Sequence, residues 1–229
     1  MFLKDLETPI VKICGLQTAE AAQIAIDEGA SLLGVICVPN RKRTVRPDIA
    51  KDISTRVRAA RARRSGSKVS GPYLVGVFRN QSVEEIEQIR QEYGLDVVQL
   101  HGSENWTEYQ HGLQNIPIIK RFIFPNDCED VICVCEDQHS RCLALFDSEA
   151  GGTGEVLDWN SISQWSKKSG AQFILAGGLN PVNVGSALQL HGVLGVDVSG
   201  GVESSGEKDG DKIKQFIANA VSNTSAKAI

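Results

Sequence analysis

Residues 173–201 have the sequence FILAGGLNPVNVGSALQLHGVLGVDVSGG, and this stretch decides the fold class. An apolar run, 173–176, leads through paired glycines into a segment with helical spacing, and a second apolar run follows at 193–198. Short runs rich in Val, Ile and Leu are typical of buried parallel strands. The stretch therefore predicts a strand–helix–strand unit in which each strand ends in a Gly-Gly loop.

The same unit recurs along the whole chain. The apolar runs that predict strands are 10–14, 32–38, 73–78, 96–100, 116–122, 142–146, 173–176 and 193–198. The segments that predict helices include 18–29, one that begins at Ser82, 128–137, 158–168, 181–190 and 208–221. Strict alternation implies parallel strands joined by right-handed crossovers. Eight units in 229 residues favour an α/β fold, a single-domain (β/α)₈ TIM barrel over 1–229, with a doubly wound open sheet as the alternative.

Composition narrows the class of protein. The chain has a net charge of −4 and 41% hydrophobic residues, which is typical of a globular protein. It lacks the roughly 18 consecutive apolar residues of a membrane helix, and residues 1–10 do not have the pattern of a secretory leader. We therefore expect no membrane partner and a cytoplasmic location, in which the six cysteines stay reduced.

Positive charge is concentrated in one block. Residues 41–68 contain eleven basic and two acidic side chains, so this block carries +9 within a chain of −4. Such a block can bind nucleic acid or form a solvated helix face. Aromatic residues are absent between Phe2 and Tyr73, so the solvated face is favoured and no nucleic-acid partner is expected.

Four of the cysteines raise the question of a metal site. Cys128, Cys133, Cys135 and Cys142 fall within 15 residues. Their spacing lacks the paired C-x₂-C of zinc sites, and His139 is the only histidine nearby. The sequence therefore predicts no metal.

Polar residues and glycines are concentrated where the predicted strands end, which is where TIM barrels form their active sites. Gly177-Gly178 and Gly200-Gly201 follow the last two strands. Glycine lets backbone N–H groups approach an oxyanion, and a following helix N-terminus adds a favourable dipole. These loops predict a phosphate cradle, with simple tight turns as the alternative.

Two further strand ends carry candidate catalytic groups. Cys14 shares a strand face with Lys12 if side chains alternate, and a nearby cation favours a thiolate that acts as base or nucleophile. A small core residue is the alternative for Cys14. Asp147 follows the sixth strand, where a carboxylate either caps a helix or acts as acid or base.

Two more side chains are candidates for substrate contact. Arg43 lies in the loop after the second strand, and a guanidinium binds a carboxylate or phosphate bidentately. His101 follows the fourth strand, within reach of the same end of the barrel.

These junctions together resemble the phosphoribosylanthranilate isomerase family of tryptophan biosynthesis, in its fungal single-domain form. The motifs that carry the resemblance are 11–16, 36–44, 74–80, 98–102, 146–154, 176–181 and 195–203. Seven motifs in order make the resemblance specific, and it covers nearly the whole chain.

The resemblance implies an Amadori rearrangement of N-(5-phosphoribosyl)anthranilate to 1-(2-carboxyphenylamino)-1-deoxyribulose 5-phosphate. By this resemblance Asp147 is the general acid and Cys14 the general base, and Arg43 holds the anthranilate carboxylate. The four glycines hold the phosphate, and Asp197 and His101 orient substrate hydroxyls or the acid. It implies no cofactor, because the imine of the substrate is itself the electron sink, and a small phosphorylated molecule as partner. The family includes monomers and dimers, and we expect a monomer here because no exposed apolar stripe stands out in the sequence.

Two other functions remain open at this point. The related isomerase of histidine biosynthesis performs the same rearrangement, but it has an aspartate where this chain has Cys14, and it binds two phosphates. A non-catalytic phosphate-binding barrel would lack the pairing of Cys14 with Asp147.

Overall fold

The computed structural model describes residues 3, 6, 8–64, 71–148 and 157–222. Eight parallel strands follow one another around a closed barrel, because β1 pairs with both β2 and β8. The strands are β1 Ile10–Ile13, β2 Leu32–Ile36, β3 Tyr73–Phe78, β4 Val97–Leu100, β5 Ile118–Phe122, β6 Cys142–Phe146, β7 Phe173–Leu175 and β8 Val193–Val198. The predicted barrel is confirmed, and the open sheet is excluded. The end of the basic block and the second half of the 146–154 motif lie outside the described residues.

A helix follows each strand. The helices are α1 Ala19–Asp27, α2 Pro47–Arg63, α3 Val83–Tyr93, α4 Trp106–Gly112, α5 Cys128–Glu136, α6 Trp159–Ser169, α7 Val184–Leu188 and α8 Gly210–Ser222. The helix start predicted at Ser82 is confirmed, and Ser82 and Glu85 form a capping box there at the start of α3. Thr18 likewise caps α1 by accepting a hydrogen bond from the N–H of Ala21.

The helix predicted at 181–190 is too long at its start, since α7 begins only at Val184. The side chain of Asn180 accepts hydrogen bonds from the N–H groups of Val182 and Asn183, and the Asn183 side chain accepts one from Asn180. These local bonds replace a first helical turn with a loop. Consequently Gly177 and Gly178 do not lead directly into a helix.

Alternation of side chains divides the apolar residues into two cores. One set from β1 to β7 packs together inside the barrel, and Leu3 and Leu6 join it. The other set packs outward against the helices. On several strands the inward positions are apolar at the start and become polar toward the end, as Ile10 and Lys12 show on β1. Polar groups thus collect at the carboxyl ends of the strands.

A small hairpin follows β8 that the sequence analysis did not predict. It joins a 3₁₀ turn at Gly200–Val202 to two short strands, β9 Glu203–Ser204 and β10 Glu207–Lys208. Ser205 and Gly206 make its two-residue turn, both with positive φ. Within the described parts of the chain, no helix combines the length and apolar character needed to span a bilayer.

Candidate active site

Two adjoining cavities open at the carboxyl ends of the strands. One of about 340 Å³ is lined by Cys14, Arg43, His101, Asp147 and Asp197, among others. The other, of about 390 Å³, is lined by the four predicted glycines, Gly177, Gly178, Gly200 and Gly201. Asp147 and Asp197 line both cavities, so the structure brings every predicted site residue to one place.

A buried ion pair lies beneath the first cavity. Lys12 is 0% exposed, and its Nζ lies 3.0 Å from Oδ1 of Asp197 on the neighbouring strand β8. Burial by itself would lower the pKa of Lys12, but its interactions with Asp197 and with Cys14 outweigh that effect, and the pKa is raised. Lys12 is therefore an ammonium group inside the barrel.

Cys14 lies beside this pair. A Cβ placed on Gly34 of β2 would lie 2.8 Å from Sγ of Cys14 and 3.2 Å from Nζ of Lys12, so glycine leaves room for both groups. Burial raises the pKa of the Cys14 thiol, and the charge of Lys12 offsets this only in part. The cation that the sequence places beside Cys14 favours the thiolate, but burial in the barrel is the larger effect on the pKa of the thiol.

Asp147 lies beyond β6 and does not cap a helix, because α6 is capped by Asp158 instead. Its Oδ1 accepts a hydrogen bond of 2.8 Å from the N–H of Ser148, and its Oδ2 lies 3.8 Å from Nε2 of His101. Burial raises the pKa of Asp147 despite the hydrogen bond from Ser148. A buried carboxyl with a raised pKa keeps its proton more readily, as a general acid requires.

His101 is an uncharged imidazole. Burial, followed by the positive charge of Arg121 and of other cations, lowers the pKa of His101 to about 3. Its Nδ1 lies 3.4 Å from Nε2 of the buried Gln99, on the ring edge opposite Asp147. His101 therefore presents a neutral ring to the acid.

Arg121 is a cavity residue that the sequence analysis did not single out. Its guanidinium donates to the carbonyl of His101 at 3.3 Å and to that of Ser148 at 2.9 Å. The signal was available: position 121 is two residues after the inward-facing Ile119 and so faces the interior. Arg121 ties together the backbone on either side of the acid.

The glycine loops are packed against each other. A Cβ on Gly201 would lie 1.8 Å from the carbonyl oxygen of Leu179, so only glycine fits there. Gly177 and Gly178 have positive φ, which disfavours other residues. The loops after β7 and β8 thus form one rim around the second cavity, with backbone rather than side chains at its wall.

The described residues contain no group of three or more His, Cys, Asp or Glu placed to hold a metal ion. Cys128, Cys133 and Cys135 lie on α5, while Cys142 is buried at the start of β6.

Comparison with known proteins adds independent findings. The family model for N-(5'phosphoribosyl)anthranilate (PRA) isomerase matches residues 11–219. The N-(5'-phosphoribosyl)anthranilate isomerase of Saccharomyces kudriavzevii is 57% identical to this chain over 222 residues, covering 95% of this chain and 96% of that protein. The corresponding protein of Saccharomyces cerevisiae is 54% identical, covering 93% of this chain and 94% of its own length.

Solved structures give the same result. The crystal structure of phosphoribosyl anthranilate isomerase from Thermotoga maritima is similar, with a TM-score of 0.75 at 32% identity. A crystal structure of phosphoribosyl anthranilate isomerase in complex with reduced 1-(o-carboxyphenylamino)-1-deoxyribulose 5-phosphate has a TM-score of 0.72 at 32% identity. In both comparisons the match covers 93% of this chain and 98% of the solved chain.

Proposed function

This chain belongs to the N-(5'-phosphoribosyl)anthranilate isomerase family, and on that premise we propose that Cys14 and Asp147 are its catalytic base and acid. The protein is an aldose–ketose isomerase of tryptophan biosynthesis, which performs an Amadori rearrangement on phosphoribosylanthranilate. The observation that carries the proposal is that the two groups line one cavity from β1 and β6.

Asp147 acts first in the proposed mechanism. Its proton passes to the ribose ring oxygen, the bond from that oxygen to C1 breaks, and the lone pair of the N–H nitrogen forms the protonated imine. Burial raises the pKa of Asp147, which keeps the proton available for this step. The neutral ring of His101, 3.8 Å away, accommodates the carboxylate that remains.

Cys14 then removes the proton from C2, and the electron pair of that C–H bond moves toward the imine to give an enolamine. The enolamine tautomerises to the ketone. This step uses the thiolate, so the Cys14 thiol first releases its proton to the solvent in the open cavity, and the positive charge of Lys12 stabilises the anion that forms. Asp197 keeps Lys12 charged through the 3.0 Å ion pair. We therefore propose that Asp197 acts on the reaction by stabilising the Lys12 ammonium group, and not by contacting a substrate hydroxyl.

The two ends of the substrate have different recognition groups. Arg43 lies in the first cavity and is proposed to bind the anthranilate carboxylate. The four glycines of the second cavity are proposed to bind the phosphate through their backbone. The ligand bound in the related crystal structure carries both a carboxyl and a phosphate group, which agrees with this division.

We further infer a single catalytic domain over 1–229 that is a cytoplasmic monomer. The barrel takes in β1 through α8, and large exposed apolar side chains in the described residues are limited to Val182 and Val221. The cysteines described are all free thiols, in keeping with a reducing compartment. Light scattering on the purified protein tests the monomer directly.

The catalytic assignment is tested by following the loss of fluorescence of phosphoribosylanthranilate. Cys14→Ser and Asp147→Asn are each expected to lower kcat by roughly 10²- to 10⁴-fold, the usual contribution of a general acid or base. Cys133→Ser is the matched control, because Cys133 is exposed on α5 and its removal should leave kcat unchanged. If either site variant keeps a near-normal kcat, the role given to that residue is wrong.

A further inference from the structure

The β9–β10 hairpin carries a charge pair into the mouth of the barrel. Glu203 and Lys208 face each other in the hairpin register, and Nζ of Lys208 lies 2.8 Å from Oε1 of Glu203. The two side chains are only 6% and 17% exposed, for Lys208 and Glu203 respectively. This pair is therefore largely shielded from solvent.

Arg43 reaches the same carboxylate from the loop after β2. Its Nη1 lies 3.4 Å from Oε1 of Glu203 and donates to the hydroxyl of Ser199. That hydroxyl in turn donates to the backbone carbonyl of Cys14 at 3.2 Å, and Lys208 donates to the carbonyl of Ser199 at 2.9 Å. The guanidinium is thus tied to the backbone of the proposed base.

Gly15 makes this convergence possible. A Cβ at that position would lie 2.9 Å from Oγ of Ser199, and 3.6 Å from both Cδ of Arg43 and Nζ of Lys208. Its φ of +75° also disfavours any other residue. Three side chains from separate segments therefore meet over one glycine beside Cys14.

The charges in this cluster do not balance. Two cations, Arg43 and Lys208, share the single carboxylate of Glu203, which leaves one positive charge at the cavity that Arg43 lines. If Lys208 were neutral, Glu203 would compensate Arg43 fully, and the guanidinium would attract an anion much less strongly.

We propose that Lys208 and Glu203 are positioning residues that hold Arg43 in place and keep its positive charge available for the substrate carboxylate. The inference rests on the proposed role of Arg43. It gives the neighbours of Arg43 different roles: Glu203 and Ser199 orient the guanidinium, and Lys208 neutralises the charge of Glu203.

The test measures binding rather than turnover, so that effects of Lys208 on Cys14 do not interfere. The probes are reduced 1-(o-carboxyphenylamino)-1-deoxyribulose 5-phosphate and its counterpart without the carboxyl group, titrated calorimetrically into the full chain. Lys208→Met is expected to raise the Kd of the carboxylate ligand about tenfold, comparable to the loss of one charged hydrogen bond. The carboxyl-free ligand should bind this variant as it binds wild type.

Two further variants separate charge from structure. The double variant Glu203→Gln with Lys208→Met should recover most of the lost affinity, because no carboxylate then competes for Arg43. Lys208→Arg, which keeps the charge, should stay close to wild type. Equal weakening of both ligands by Lys208→Met, or no rescue in the double variant, would overturn the proposal in favour of a structural role for the hairpin.

The variant Arg43→Met tests separately whether Arg43 itself binds the substrate carboxylate. It should abolish the preference for the carboxylate ligand over its carboxyl-free counterpart. If that preference survives in Arg43→Met, the carboxylate is bound elsewhere, and the assignment of Arg43 itself is wrong whatever the hairpin variants do.

Discussion

The mouth of the barrel and the outer face of α2 each contain a lysine–carboxylate ion pair, but the two pairs differ in how far they are exposed to solvent. Lys12 and Asp197 form an ion pair at 3.0 Å inside the barrel, and Lys51 and Glu92 form one at the same distance on the outside of α2. Lys12 is 0% exposed, whereas the side chains of Lys51 and Glu92 are 51% and 46% exposed. Burial, rather than distance, decides whether a pair can alter the chemistry of its neighbours.

The comparison explains the block of positive charge in the sequence. Along α2 several of the exposed basic side chains pair with nearby carboxylates, as Arg46 does with Asp48 and Arg56 with Asp52. This confirms the solvated helix face expected from the sequence. At the leading edge of the block, Arg43 instead lines the cavity and pairs with the largely buried Glu203, where we propose that it binds the substrate carboxylate.

The largest effect is expected from breaking the buried pair. Lys12→Met leaves the Asp197 carboxylate uncompensated in the interior, so the free energy of unfolding should fall by about 3–5 kcal/mol, measured by urea denaturation. Adding Asp197→Asn removes the stranded charge and should restore part of this loss. A loss below about 1 kcal/mol in Lys12→Met would mean that the buried pair behaves like an exposed one, and the contrast between the two regions would fail.

A substitution without charge separates packing from electrostatics in the mouth. Gly201→Ala places a Cβ 1.8 Å from the Leu179 carbonyl, so the loop must move, at a cost of about 1–3 kcal/mol in the free energy of unfolding. Gly200→Ala is the matched control in the same loop, because its Cβ has no protein atom within 4 Å. Equal stability of the two variants in thermal unfolding would show that the loops after β7 and β8 can move apart to admit the Cβ at no cost.

The buried His101 should make the stability of the protein depend on pH in a way that an exposed histidine does not. Its pKa of about 3 in the folded state lies below the usual value near 6.5 for the unfolded state. Between these values the unfolded chain binds more protons, so stability falls as the pH falls. His101→Asn should reduce this slope by up to about 1.4 kcal/mol per pH unit, measured by denaturation between pH 6.5 and pH 4.5.

The control for that experiment is His139→Asn, at an exposed position in the loop after α5. Its slope should match that of wild type. If the two histidine variants give the same pH dependence, the burial of His101 does not govern its protonation. The argument that burial also raises the pKa of Asp147 would then be weakened.

The smallest effect is expected on the outer face of α2. Lys51→Met breaks the exposed pair with Glu92 and should change the free energy of unfolding by less than about 1 kcal/mol. Kinetic constants should be unchanged, and 0.5 M salt should remove even the small difference in stability. A larger loss that persists in salt would contradict the view that this face is merely solvated.

Most of the barrel could be predicted from local patterns, because a strand buried on both faces is apolar along its length and ends where polar residues begin. Three strands, β3, β6 and β8, have the predicted bounds, and the capping box at Ser82 marks α3 correctly. The start of α7 could not be predicted, since the two asparagines that replace its first turn bond to each other only in the folded loop.

The hairpin after β8 shows a different limit. Ser205-Gly206 is a turn signal, but strands of two residues are too short to have a visible alternation. Lys208 was therefore assigned to the start of the last helix, which begins at Gly210. Its importance comes from Arg43, which is 165 positions earlier in the chain and shares the carboxylate of Glu203 with it only in the folded barrel.

The sequence by itself determined the barrel, the family and many of the residues that line the cavities, because each depends on short motifs that recur at the ends of strands. Only the tertiary structure decided their states of charge. Burial sets the protonation of Cys14, Asp147 and His101, and burial depends on contacts between strands far apart in the chain. The sequence placed a cation beside the thiol, and the fold buries both groups, so that desolvation raises the pKa of the thiol despite the cation.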